Sequence, residues 1–141
     1  MLLKHFSSIY TKFRMNLYSK IFQQEGKSKD SLSAIDVLCV ELIYSLERPT
    51  IKEFADYAGL SAPNAAYKVN NLVRKGYIRR IQSEIDKREY HLEVTDKYVG
   101  AYGITYQYVA ELSKKMEERF SKEQLEQLES FLAVVDEDLM K

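Results

Sequence analysis

The stretch from Thr50 to Gly76 constrains this chain most. Thr50 and Glu53 form a T-x-x-E capping box, and Ile51, Phe54, Ala55 and Ala58 follow at helical spacing, so a short helix runs to Ala58. Gly59 closes it as a residue free to take the left-handed conformation that ends helices. Leu60 fills the turn and Ser61 caps a second helix. In that helix Ala65, Val69 and Leu72 form an inward stripe, and Gly76 stops it. The unit is helix, tight glycine turn, helix.

Its flanks extend the pattern. Upstream, Leu3, Phe6, Tyr10, Phe13, Leu17 and Ile21 recur every three or four residues, which places one apolar stripe on a first helix of two dozen residues, ended by the polar stretch Gln23–Asp30. Ser33 sits three residues before Asp36 at the head of an apolar run to Leu46, an N-cap arrangement for a mostly buried second helix that Pro49 terminates. Downstream, Tyr77–Gln82 and Glu89–Thr95 are rich in β-formers, with the charged loop Ser83–Arg88 between them, as in a half-buried hairpin. Tyr98, Tyr102, Tyr106, Val109, Leu112 and Met116 then predict one long helix to Phe120. Ser121 and Gln124 form another capping box, opening a last helix whose Leu125, Leu128, Leu132, Val135 and Leu139 make a helix-packing seam. The expected fold is mainly α with a small β-hairpin. Residues 31–95 form the helix-turn-helix and hairpin, and residues 1–30 and 96–141 form helical extensions.

Composition narrows the function. One cysteine, Cys39, excludes an internal disulfide framework and a multi-cysteine zinc site, and two histidines leave little for a histidine site, so no metal or cofactor is expected. The most apolar stretch, Ala34–Leu46, contains Asp36 and Glu41, and Lys4, Lys12 and Arg14 are spread through the N-terminal apolar residues; a cytoplasmic protein without a membrane partner is expected. Net charge is zero but polarised: residues 1–49 carry +2, residues 50–91 carry +3 and residues 92–141 carry −5. A positive middle suits one face offered to an anionic polymer, although ordinary solvated faces produce such modest sums too.

A helix entering a major groove needs small or polar side chains on its outer face, because bulky apolar groups block approach to base edges. With Ala65, Val69 and Leu72 inward, a 100° step puts Pro63, Tyr67, Asn70 and Arg74 on the opposite side, flanked by Asn64 and Asn71. Asparagine pairs with an adenine edge through two hydrogen bonds, Arg74 suits a phosphate or guanine, and the Ser61 region presents backbone N–H groups at a helix N-terminus. In the loop Ser83–Arg88, Lys87 and Arg88 stand beside Asp86 at a hairpin tip. There an arginine can enter a minor groove while the acid holds its guanidinium. Exposed asparagines and charged hairpin tips also serve solubility alone.

Taken together, Thr50-Ile-Lys-Glu-Phe-Ala, Gly59-Leu-Ser61, Asn64 to Leu72, Lys75-Gly-Tyr-Ile-Arg-Arg80, Asp86-Lys-Arg88 and Leu92-Glu-Val-Thr95 resemble the MarR family of winged helix-turn-helix transcription regulators. The D-x-R wing at its distance from the K-G-hydrophobic-Ile step is the most specific part, and the element order covers nearly the whole chain. The resemblance implies that Asp86 and Arg88 are the wing pair, with Arg88 in the minor groove, and that Ser61, Asn64 and Tyr67 stand at reading-helix positions. The family often has arginine where this chain has Tyr67, which puts that residue's role and the base preference in question. The resemblance also implies a homodimer joined through its terminal helices, a palindromic double-stranded DNA site, repression, and release by a small-molecule effector or by oxidation of a cysteine.

Cys39 lies in the apolar run of the second helix, where a small buried hydrophobe is commoner than a redox sensor. Tyr98, Tyr102 and Tyr106 share a face of the predicted fifth helix, as packing or as an aromatic pocket with Tyr10 or Tyr18. No phosphate-binding loop, nucleophile elbow, H-E-x-x-H or dinucleotide turn is present, and Glu117-Glu118 and Asp136-Glu137-Asp138 fall on exposed faces, so no enzyme is expected. The competing function is a winged helix whose outer face binds another protein.

Overall fold

A computed structural model describes residues 1–27, 29 and 31–141. Its helices are α1 (Leu2–Gln24), α2 (Ala34–Ser45), α3 (Ile51–Ala58), α4 (Ala62–Arg74), α5 (Asp96–Tyr102), α6 (Ile104–Arg119) and α7 (Lys122–Val134). Strands β1 (Ile78–Gln82) and β2 (Tyr90–Val94) lie between α4 and α5, and a π-helical turn, Val135–Leu139, follows α7. Of the polar stretch Gln23–Asp30, Ser28 and Asp30 lie outside the described residues. The chain divides into two compact units, Met1–Ile104 and Thr105–Lys141.

In the first unit the helix starts follow their caps. The Ser33, Thr50 and Ser61 hydroxyls accept the backbone N–H of Asp36, Glu53 and Asn64 at 3.1, 3.1 and 3.3 Å, each satisfying one donor that a helix N-terminus leaves open. Gly59 ends α3 at φ +67, and the Leu60 N–H reaches back to the Ala55 carbonyl at 2.9 Å, the bond that only a left-handed residue permits here. The core is built from one stripe of each element: Val37, Val40 and Ile43 of α2, Phe54 of α3, Ala65, Val69 and Leu72 of α4, Ile78 and Leu92 of the strands. All three residues assigned to the inner face of α4 are completely buried.

The hairpin pairs antiparallel from Ile78 with Val94 to Gln82 with Tyr90. Thr50 adds a single bridge to His91, and the Leu92 N–H donates to the Pro49 carbonyl at 2.8 Å, so β2 is fastened to the segment that enters α3. At its base, Thr95 Oγ1 donates to the Gly76 carbonyl at 2.6 Å and Lys97 Nζ to the Lys75 carbonyl at 2.7 Å. These bonds satisfy the end of α4 and hold the hairpin at a set position beside it.

The single long helix expected over 98–120 is two. α5 stops at Tyr102, Gly103 turns out of helical geometry at φ −45 and ψ 51, and α6 starts at Ile104. Glycine is the weakest helix former after proline, costing about 1 kcal/mol against alanine, so the interruption falls where resistance is least. Tyr98 and Tyr102 are consequently core residues, stacked at 5.2 Å with Tyr77 edge-on to each, whereas Tyr106 is exposed. In the second unit, α7 carries the full Ser121/Gln124 capping box. Met116, Leu125, Leu128 and Val135 are half-buried.

Candidate functional site

The outer face of α4 is open. Ser61, Pro63, Asn64, Tyr67, Asn70 and Arg74 are exposed, Asn71 is half-buried, and Tyr67 has 74% of its surface in solvent. The first turn offers fewer donors than its sequence suggests. Ser61 Oγ takes the Asn64 N–H, the Ala65 N–H goes to the Ser61 carbonyl, and Pro63 has none. Among the described residues that leaves the Ser61 and Ala62 N–H groups, beside the positive end of the helix dipole, for an incoming anion.

Two of the asparagines already have partners. Asn70 Oδ1 accepts from the Arg80 guanidinium, across from β1, and Asn71 Oδ1 accepts from Arg74 at 2.6 Å. Each asparagine therefore holds an exposed guanidinium that keeps further donors. Arg80 belongs to this surface, though neither the α4 periodicity nor the wing loop identifies it. Its signal is its place in the Arg79-Arg80 pair at the start of β1, where alternation sends neighbouring side chains to opposite faces.

Arg79, on the other face, donates to Glu93 at 2.7 Å, and Arg48 donates to the second oxygen of the same carboxylate at 2.9 Å. The two guanidinium groups, Arg79 foremost, hold the Glu93 carboxyl below the usual range. Arg48 follows Glu47 in left-handed backbone, at φ 62 and 53, a conformation disfavoured for both side chains. Its carbonyl accepts from His91 Nδ1 at 2.7 Å, so this segment is tied to β2 through main chain and side chain together. A cleft of about 390 Å³ opens beside it, floored by Ile43, Leu92 and Val94.

The wing tip is ordered by its own polar groups. Asp86 accepts the Arg88 backbone N–H at 3.0 Å and both ends of its guanidinium at 3.3 and 3.4 Å, and these bonds lower the Asp86 carboxyl pKa, the backbone one most. The paired contact expected for this D-x-R sequence is present, and the Arg88 side chain remains 92% exposed. Lys87 is exposed beside it.

Other candidates lie away from this surface. Cys39 is buried, and desolvation pushes its thiol pKa up despite Lys68 nearby, which disfavours the reactive thiolate. Tyr98 donates to Glu41 at 2.9 Å and the Tyr102 hydroxyl accepts the Leu32 N–H at 3.0 Å, so both rings are packed and satisfied. Tyr10 and Tyr18 are exposed, and Tyr10 lies under Arg14. Among the described residues no three histidine, cysteine or acidic side chains converge on a metal position, and no helix is long and apolar enough to cross a membrane.

Residues 32–90 match the model of the MarR family, which covers α2 through the wing. Similar solved structures include FabT of Streptococcus pneumoniae in complex with DNA, at 21% identity and a TM-score of 0.58 over 98% of this chain and 94% of that one. A MepR mutant from a multidrug-resistant S. aureus clinical isolate has 17% identity and a TM-score of 0.61 over 99% and 98%. A MarR family protein from Bacillus stearothermophilus has 14% identity and a TM-score of 0.61 over 99% and 94%. At these identities the likeness establishes the winged-helix fold. No curated protein matches the sequence.

Proposed function

We propose that this protein regulates transcription by binding double-stranded DNA, with α4 in the major groove and Arg88 of the wing in the minor groove; the match of residues 32–90 to the MarR family model supports this reading. The observation that carries the reading is the outer face of α4 together with the guanidinium groups around it. Asn64 and Tyr67 are exposed, Arg74 and Arg80 are held by Asn71 and Asn70, and Arg88 is held by Asp86. Positioned cations beside exposed polar side chains are what simultaneous phosphate and base contact requires.

Homodimerisation is part of the proposal, supported by apolar surface that each unit leaves bare. In α1, Leu2, Leu3, Phe6, Ile9 and Tyr10 are exposed. Within the second unit an open groove of about 520 Å³ has Met116, Leu125, Leu128 and Leu132 along it, and Phe131 and Leu139 are exposed too. Patches of this extent are normally covered in an assembly. A two-fold dimer reads an inverted repeat with half-sites about 10 bp apart centre to centre. Repression in the cytoplasm, relieved by a small-molecule effector, completes the reading on the strength of the family resemblance.

The test is selection of bound duplexes from a random library at about 0.1 M salt, near physiological ionic strength. Enrichment of an inverted repeat supports DNA reading and the dimer together. A folded dimer that enriches no motif, and whose weak DNA binding lacks the slope of about 0.9 log unit per phosphate contact per tenfold change in salt, favours a protein-binding winged helix instead.

A further inference from the structure

The wing tip presents one fully solvated aliphatic side chain. Ile85 is 100% exposed, between Glu84 and Asp86. The loop around it is not slack. Ser83 Oγ accepts the N–H groups of Ile85 and Asp86 at 3.2 and 3.3 Å. The Ser83 N–H donates to the Glu89 carbonyl and the Glu89 N–H to the Asp86 carbonyl, both at 2.9 Å. Gln82 Nε2 donates to the Lys87 carbonyl at 2.7 Å, and Arg88 closes onto Asp86 from main chain and side chain. The tip is thus fixed by main-chain bonds that leave Ile85 outside the packing, three residues from Arg88.

Charge alone gives this tip little attraction for a polyanion. Glu84, Asp86 and Glu89 outnumber Lys87 and Arg88, and half of the cationic character is turned toward Asp86. A tip without net positive charge that still enters a groove needs a second source of affinity, and desolvation of an aliphatic group against the hydrocarbon edges of the deoxyriboses supplies one that salt does not screen. A preordered tip also loses no loop entropy on contact.

We propose that Ile85 is a DNA-contact residue, an apolar anchor that packs in the minor groove beside Arg88 and makes part of the wing's affinity independent of salt. The assignment rests on the proposed reading of the wing and adds a contact of different chemistry to it.

The experiment compares wild type, Ile85→Ala, Ile85→Leu and Arg88→Ala on one selected duplex across a salt series. Expected for Ile85→Ala is a loss of roughly tenfold, the scale of burying most of one aliphatic side chain, with an unchanged salt slope. Ile85→Leu restores most of the affinity, and the thermal midpoint is the same in all four proteins. Arg88→Ala, by contrast, lowers the salt slope by about one contact. Wild-type affinity in Ile85→Ala, or a loss accompanied by a changed slope, overturns the role of Ile85 while leaving the DNA reading intact. Failure of the wild type to bind any duplex removes the DNA reading itself, and this assignment with it.

Discussion

Asn70 and Arg80 are best understood as one functional group. An asparagine whose carbonyl oxygen already accepts from a guanidinium keeps one lone pair and its amide donors, but turning its amide onto adenine would give up the Arg80 bond, so it positions Arg80 more readily than it pairs with adenine through two bonds. Asn70→Ala and Arg80→Ala are therefore expected to weaken DNA binding non-additively, each single change removing most of what the double change removes, with base preference unaltered at every position. A binding-site selection on Asn70→Ala that relaxes one base position contradicts this. Asn64 has no such partner on its side chain among the described residues, and Asn64→Ala is the variant expected to relax preference at one position. Glu41 offers a different test. Burial raises its carboxyl pKa above 4.5, and Tyr98 is its hydrogen-bond donor. A folded-state pKa above the unfolded one contributes stability that is complete below the unfolded value and is lost as pH rises through the folded value. Glu41→Gln keeps an acceptor for Tyr98 and removes the part-buried charge, so its melting temperature should exceed wild type at pH 7 and approach it below pH 4.5.

At the scale of elements, the helix-turn-helix was legible because its signals are local. Thr50, Gly59, Ser61 and Gly76 each act within four residues of themselves, and α3 spans Ile51–Ala58 as its cap and glycine require. Gly59 sits at φ +67 with nothing near where a Cβ would stand, so Gly59→Ala carries only the left-handed backbone penalty. A loss of about 1 kcal/mol in urea unfolding is expected, and less for Gly59→Asn, because asparagine tolerates this region. Equal losses for both would show that side-chain crowding, not backbone conformation, governs the turn. The division of the expected fifth helix was harder to foresee. A repeating tyrosine pattern continues through Gly103, and the break shows only in which tyrosines are buried: Tyr98 and Tyr102 against Tyr77, with Tyr106 left out.

For the whole molecule the exposed apolar surface of the terminal helices is what calls for a partner. The stripe read on α1 runs from Leu3 to Ile21, yet Leu3, Phe6 and Tyr10 are exposed, Phe13 and Leu17 are half-buried and only Ile21 is buried, so the chain alone covers just the C-terminal end of the stripe. Light scattering at micromolar concentration is expected to give twice 16.5 kDa, and the melting temperature should rise with protein concentration. Leu3→Asp combined with Phe6→Asp should shift the mass toward 16.5 kDa. A wild-type mass of 16.5 kDa would show that these stripes serve no dimer and that any DNA contact is made by single wings.

By itself the sequence determined the caps, the turns, the stripes that face inward, and the D-x-R pair at the wing, because each is a relation between residues a few positions apart. Tertiary structure decided the rest. Arg80 meets Asn70 only because β1 folds back along α4; Arg79 and Arg48 share Glu93 only because the hairpin is fastened to the segment entering α3. Such relations depend on where distant segments come together in space, which periodicity along the chain does not encode.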